Sequence, residues 1–372
     1  MLTTLKGWVP SIIFLETTRA CEYTCLHCRA ESQPNPSDGE LSVEELKSIV
    51  DEIAEIDGER PEIVITGGNL MLKPGIRDLI SYISSKKLQF SLSPAASLLV
   101  DYDFINFAAN AGLSSISLSL DFPTDEGAGN LRDPRHSIDL IRKISKMAIE
   151  SGIRVQINTT VYEGNVDELP AILNIIRSLG ISTWEVFFLI RTGRATGLRD
   201  LSPKHYMQVN SWLADLSRYG MNVRTVEGPV FRAIRAIRNI SPEILEGPLY
   251  DKLSAETFRL LGGKMEGSKP DLRAPGRHSQ FRGTLFIGSN GNVYPSGLFT
   301  YPTGNIRDVN LKEIISRHTD LFDWKNSGSV KGKCGDCGFL RICGGSRARA
   351  YTYEGDPFAS DPACLFHDPR SR

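Results

Sequence analysis

Along the first 200 residues, short runs rich in β-branched and aromatic residues alternate with longer segments whose apolar positions recur at helical spacing. Strands are expected at residues 12–16, 62–66, 89–93, 115–120, 154–161 and 184–190. Helices fit between them. The first, over 43–56, opens with Ser42-Val43-Glu44-Glu45, the pattern of a capping box, and carries Leu46, Ile49, Val50, Ile53 and Ile56 on one stripe. Others are expected from Ile76, Asp103, Ser137, Val166 and Pro203, the last with Ser202 as cap and proline at the first helical position. Strand followed by helix, repeated six times, is the signature of a parallel sheet, and six units of roughly 30 residues each fill residues 11–200. The expected fold class is α/β: a partial, six-unit (β/α) barrel of the TIM type, open because eight units do not fit before the pattern changes.

After Gly220 the chain turns basic and irregular, and a Gly/Lys/Pro-rich stretch from Gly262 to Gly276 reads as a linker. From Arg282 to Phe299 two short strand patterns flank Ser289-Asn290-Gly291-Asn292, a hairpin signal because Asn-Gly tolerates positive φ. The expected organisation is therefore a barrel over 1–220, a connecting segment over 221–281, and a small α+β, loop-rich domain over 282–372.

Composition narrows the function classes. Apolar residues are 41% and charged residues 23% of the 372, ordinary globular values that exclude disorder and fibrous folds. Lys plus Arg total 43 against 44 Asp plus Glu, so no global basic field draws the chain to nucleic acid or an anionic membrane. The strongly apolar runs fall short of the ~20 residues that span a bilayer, and Met1 to Lys6 has no signal-peptide pattern. The expected compartment is the cytoplasm.

The seven cysteines change the picture most, because they fall in two clusters with 305 cysteine-free residues between. Clustered thiols in a cytosolic chain point to metal rather than to a disulfide framework. Cys21, Cys25 and Cys28 form CxxxCxxC directly after the first expected strand. A four-iron four-sulfur cluster commonly takes four thiolates, so a loop offering three leaves one iron open to a ligand. A zinc knuckle completed by His27 or a distant Cys is the bland alternative, but residues 29–60 hold no Cys or His to close it. Cys334, Cys337, Cys343 and Cys364 provide four thiolates, which suit either a fully ligated four-iron cluster or a structural zinc.

The three-cysteine loop resembles the signature of the radical S-adenosylmethionine (SAM) superfamily. There the open iron chelates the amino and carboxylate groups of SAM, and reduction releases a 5′-deoxyadenosyl radical that abstracts hydrogen from substrate. Gly67, Gly68 and Asn69, at the end of the second strand, resemble the family's GGE or GGD motif, with an amide where that motif has its acid. Ser119 and Asp121 look like ribose-binding positions, Arg132 like the arginine that meets the SAM carboxylate, and Asn158 like a further SAM contact. The final segment is similar to the family's C-terminal SPASM or twitch extension, which implies a second, auxiliary four-iron cluster on Cys334, Cys337, Cys343 and Cys364.

Thr192-Gly193-Arg194, Glu227-Gly228-Pro229 and Tyr294-Pro295-Ser296-Gly297 resemble the alternative haem-biosynthesis branch, with its Fe-coproporphyrin III decarboxylase and haem d1 maturase. That resemblance implies a tetrapyrrole propionate as substrate, with Arg191, Arg194, Arg232 and Arg347 as candidate carboxylate-binding residues, and a low-potential electron donor such as ferredoxin or flavodoxin. The alternatives are a radical SAM maturase of a ribosomally made peptide and a zinc-binding interaction protein.

Overall fold

The structure is a computed structural model that describes residues 9–56, 60–237, 245–263 and 283–366. Met1 to Lys6 and most of the Gly/Lys/Pro-rich stretch after Gly262 lie outside the described residues. The six expected strands are present as β1 (Ile12–Glu16), β2 (Glu62–Thr66), β3 (Phe90–Leu92), β4 (Ser115–Ser119), β5 (Arg154–Val161) and β6 (Thr183–Phe188). They pair in chain order and all parallel, with Ile13 opposite Ile63 and Ser119 opposite Asn158. The connecting helices are α1 (Val43–Ala54), α2 (Ile76–Ser85), α3 (Tyr102–Asn110), α4 (Asp125–Ala128), α5 (Ile138–Glu150) and α6 (Leu169–Ser178), followed by α7 (Pro203–Asp215).

Local signals explain where these helices begin. The capping box of α1 is complete: Ser42 Oγ accepts from Glu45 N–H at 3.2 Å and Glu45 Oε2 accepts from Ser42 N–H at 2.7 Å. Ser202 caps α7 through His205 N–H at 3.2 Å, with Pro203 at the first helical position.

Two strands extend the sheet beyond the six. β7 (Asn222–Val226) adds in parallel to β6, and α8 (Val230–Ile237) follows it. On the far side, β8 (Thr284–Ile287) pairs in parallel with β1, and β9 (Asn292–Tyr294) and β10 (Gly304–Asn305) follow antiparallel around the Asn290-Gly291 turn. The result is one ten-stranded open sheet in the order β10-β9-β8-β1-β2-β3-β4-β5-β6-β7. β7 shows little of itself in sequence because it is a short edge strand with Arg224 exposed on it. The helix Pro248–Leu261 packs Leu249, Leu253 and Thr257, one residue per turn, inward from the stretch expected to connect the two domains.

Burial alternates along the strands, and this sets up the site. In β5, Val155, Ile157, Thr159 and Val161 are buried against the helices, whereas Gln156, Asn158 and Thr160 are half-buried on the other face. β4 does the same with Ile116 and Leu118 against Ser115 and Ser119. A closed barrel would fill its interior with apolar layers; this one keeps a polar, accessible inner face. Because β1 to β6 are parallel, their C-terminal ends share one rim, where the loops carry chemistry. Among the described residues no helix is long and apolar enough to cross a membrane.

Candidate active site

The loop that follows β1 carries Cys21, Cys25 and Cys28, all unpaired, with Cys21 buried and the other two half-buried. The loop is pinned from several strands at once. Cys21 N–H donates to Gln33 O at 2.7 Å, closing its base. Asp133 accepts from Thr24 N–H at 3.0 Å and Thr24 Oγ1 at 2.9 Å, and Leu26 N–H donates to Leu131 O at 2.8 Å. Arg194 reaches across from the β6 exit: its Nε donates to Cys25 O at 2.8 Å, its Nη1 to Ser32 O at 2.8 Å, and its main-chain N–H to Cys28 O at 3.1 Å. Gly193 makes that reach possible, since with φ at 56° a Cβ there would lie 2.6 Å from the carbonyl oxygens of Cys28 and Arg29. Arg194, expected as a substrate residue, thus spends three N–H groups on the cysteine loop.

Glu16, at the end of β1, is the buried anchor of the same loop. It accepts from Arg29 Nη2 at 2.7 Å and from the Ser289 N–H and Oγ at 3.0 and 3.1 Å, so it ties the cysteine loop to the β8–β9 turn. Burial raises its pKa, but Arg29, the Ser289 N–H and Arg19 together outweigh burial and hold the carboxyl below its ordinary value. Burial also pushes the Cys21 thiol up to about 12, so a thiolate there needs a bound cation to displace the proton. Tyr23 N–H is directed at Cys21 Sγ at 3.5 Å and Ser32 N–H at Cys28 Sγ at 3.4 Å. His27 is not aimed at the thiols; its Nδ1 lies 3.3 Å from Leu131 O, and desolvation, with Arg132 nearby, lowers its pKa to about 4.

At the β2 exit the glycines serve this loop directly. A Cβ on Gly67 would lie 2.7 Å from Thr18 O, and one on Gly68 2.4 Å from Ala20 O. Gly68 and Asn69 donate their N–H groups to Thr18 O and Ala20 O at 2.7 Å each, so the β2 exit and the cysteine loop lie backbone to backbone. Asn69 is fully buried, with its amide directed at the carboxylate of Glu22. Asp121, at the β4 exit, is buried and ion-paired with Arg132 Nε, and its other oxygen accepts from Thr160 N–H at 2.6 Å. It therefore orients Arg132, whose charge is felt by Cys25 and Cys28. Ser119 and Asn158 sit side by side on the half-buried inner face, Ser119 being the last residue of β4.

The second group of thiols is enclosed. Cys334, Cys343 and Cys364 are buried and Cys337 is half-buried. Asp361, Phe339 and Gly345 direct main-chain N–H groups at the sulfurs of Cys334, Cys337 and Cys343 at 3.3, 3.4 and 3.5 Å. Burial pushes Cys343 up to about 12 and Cys364 higher still. Cations gather here: Arg232 donates to Ile342 O at 2.8 Å, and Lys325, lowered to about 8 by burial and by Arg232, faces the same thiol. Arg347 is buried, gives Nη1 to Pro357 O and Ala359 O at 2.9 and 2.6 Å, and leaves Nη2 without a partner among the described residues. Arg232 and Arg347 therefore belong to the four-thiol site and not to the mouth of the barrel. Arg191 lies outside both sites, exposed, stacked over Tyr353 at 4.8 Å and bonded to its hydroxyl at 2.9 Å. Among the described residues, no three His, Cys, Asp or Glu side chains converge on a single-ion site.

A cavity of about 170 Å³ lies between Phe188, Leu189 and Tyr206 of the barrel and Arg349, Tyr353 and Ala363 of the C-terminal half. It is smaller than the ~300 Å³ at which ligand sites begin, and no cysteine lines it. Sequence reasoning missed Glu16 and Glu22. The only signal either gave was its place: Glu16 ends the strand, and Glu22 directly follows Cys21.

The profile of the Radical SAM superfamily matches residues 15–176, the segment that runs from β1 through α6. The chain is 29% identical over 377 residues to the AdoMet-dependent heme synthase of Oleidesulfovibrio alaskensis, covering 100% of this chain and 92% of that protein. It is 26% identical to the Fe-coproporphyrin III synthase of Methanosarcina barkeri, over 95% of this chain and 87% of that one. In three dimensions it is similar to SAM-bound SuiB of Streptococcus suis, with a TM-score of 0.65 and 15% identity over 96% of this chain and 77% of that one, a likeness of fold. The family's iron-sulfur cluster and SAM fit the β1 loop by the chemistry of its donor set, three thiols carried on one loop. Residues 15–176 are thus a Radical SAM superfamily domain, in a chain similar over its whole length to a protein named AdoMet-dependent heme synthase.

Proposed function

We propose that this enzyme uses SAM to oxidise a tetrapyrrole propionate, an oxidative decarboxylation in haem biosynthesis. The observation that carries this reading is collinearity: the chain matches the heme synthase of O. alaskensis end to end, so both cysteine groups fall within the matched length. When bound, the cluster and SAM supply a 5′-deoxyadenosyl radical under reduction by a donor such as ferredoxin or flavodoxin.

The chain's own residues do the rest. Cys21, Cys25 and Cys28 hold the cluster on a loop fixed by Asp133, Arg194 and Glu16. Arg132, oriented by Asp121, would hold the SAM carboxylate, and Ser119 and Asn158, side by side on the inner face, would hold its nucleoside. Removing one hydrogen and carbon dioxide from a propionate leaves a vinyl group and one electron, which needs an acceptor. The four-thiol site suits a second four-iron cluster in that role: its N–H groups point at three sulfurs, and Arg232, Arg347 and Lys325 offset the charge of four thiolates. In this reading residues 1–220 bind SAM, 282–372 carry the acceptor, and 221–281 join them through Glu227 and Arg232, which bond to Ser346 and Ile342 O.

The test is anaerobic incubation of the reconstituted protein with SAM, dithionite and Fe-coproporphyrin III, followed by mass spectrometry. The expected product has lost carbon dioxide and two hydrogens per reacted propionate, with 5′-deoxyadenosine formed in step. If porphyrin is unchanged while a short peptide is modified, the enzyme is a peptide maturase.

A further inference from the structure

Every polar atom of the Asn69 side chain is already committed. Its Oδ1 accepts from Met71 N–H at 3.2 Å, and its Nδ2 donates to Glu22 Oε1 and Oε2 at 2.8 and 3.0 Å and to Ser97 Oγ at 3.1 Å. With no exposure to solvent, Asn69 presents no acceptor to a ligand. Glu22 is different. It is half-buried, directly follows Cys21, and both its oxygens are oriented by that single neutral amide.

Among the described residues no cation is ion-paired with it, though the Arg135 guanidinium lies near enough to feel its charge. Arg135 gives its nitrogens to the main-chain carbonyl of Glu22 and to the carboxylate of Asp133. A carboxylate fixed by a neutral donor, partly desolvated and left unpaired, is costly to keep unless a cationic ligand completes it. SAM carries an ammonium group, and the loop that bears Glu22 also bears the three thiols.

We propose that Glu22 receives the ammonium group of SAM, and that Asn69 is a positioning residue which aims Glu22 from the β2 exit. The acid of the binding site has moved from the strand end to the cysteine loop, and an amide has taken its place as donor. This inference rests on the proposed use of SAM at the β1 loop.

The experiment is equilibrium dialysis of anaerobically reconstituted full-length protein against SAM and against 5′-methylthioadenosine, which lacks the amino acid. Glu22→Gln keeps the shape and can still accept from Asn69, but has no charge. It is expected to bind SAM about 10-fold more weakly, as for the loss of one charge-assisted bond, with 5′-methylthioadenosine affinity and iron content as in the wild type. Glu22→Asp, which retains the charge at a shorter reach, is expected to fall between. Unchanged SAM affinity in Glu22→Gln overturns the role of Glu22, and so does an equal loss for both probes. A wild type that binds neither probe overturns the proposed function itself.

Discussion

The two cysteine groups of this chain are built on opposite principles. The β1 loop offers three thiols, two of them half-exposed, and is held almost wholly through its backbone, by Arg194, Asp133 and the glycines of the β2 exit. Of its nearby cations, Arg132, Arg29 and Arg135 are each paired with a carboxylate, Asp121, Glu16 and Asp133, whereas Glu22 forms no ion pair among the described residues. The C-terminal group offers four thiols, three of them buried, and is surrounded by Arg232, Lys325 and Arg347. The first is open, with these cations paired off and its backbone fixed; the second is closed and lined by cations. Sites made of the same residue therefore differ in thiol count, exposure and local charge, which suits them to different chemistry.

Gly193→Ala attacks the first principle most severely. It combines a positive φ, which costs about 1 kcal/mol for a non-glycine residue, with an overlap against two backbone carbonyls that cannot move aside. The expected outcome is loss of the β1-loop cluster alone: iron falls to about half of the roughly eight atoms that two four-iron clusters hold, and 5′-deoxyadenosine is no longer made. Retention of full iron by the variant breaks the account of how the loop is held.

Glu16→Gln is next. It leaves Arg29, three-quarters buried, without its counter-charge, for a cost of about 2 kcal/mol at neutral pH. Because the folded carboxyl lies below its ordinary value, its stabilisation is complete above the unfolded pKa of about 4.3 and is lost as pH falls through the folded value. Chemical denaturation across that acid range is expected to show a flatter pH dependence in the variant than in the wild type.

Much of this was legible in sequence, and the gaps have physical causes. β1 to β6 announce themselves because their outer faces pack on helices and so must be β-branched or apolar at every second position. β7, an edge strand with charged and polar positions, does not. The cysteine groups were readable because ligand spacing within one loop is a sequence property. The arginines were not: whether Arg194 binds a substrate or Cys25 O depends on a carbonyl 169 residues away, and the carboxylate that faces Asn69 lies 47 residues earlier. A side chain's type is written in the sequence, whereas its partner is written in the fold.

Arg347→Met sharpens the second principle. Removing the guanidinium that Cys334 and Cys343 feel should make the C-terminal cluster harder to reduce, shifting its midpoint potential negative by on the order of 50 mV, about 1 kcal/mol for one electron. The β1-loop cluster should keep its potential. A redox titration followed by electron paramagnetic resonance separates the two. The smallest expected effect is that of Asn69→Ala, which frees Glu22 from its donor without removing its charge. SAM should bind about 5-fold more weakly, about 1 kcal/mol for a carboxylate that keeps its charge but loses its orienting donor, as read by equilibrium dialysis.

The central claim is that the β1 loop cleaves SAM. It is tested most directly by measuring 5′-deoxyadenosine from anaerobically reconstituted wild type and from the triple variant Cys21→Ala, Cys25→Ala, Cys28→Ala, each with SAM and dithionite. The wild type is expected to form it, and the variant to form none while keeping about half the iron on its remaining four thiols. Stoichiometric zinc in place of iron, with no 5′-deoxyadenosine from the wild type, would contradict the account.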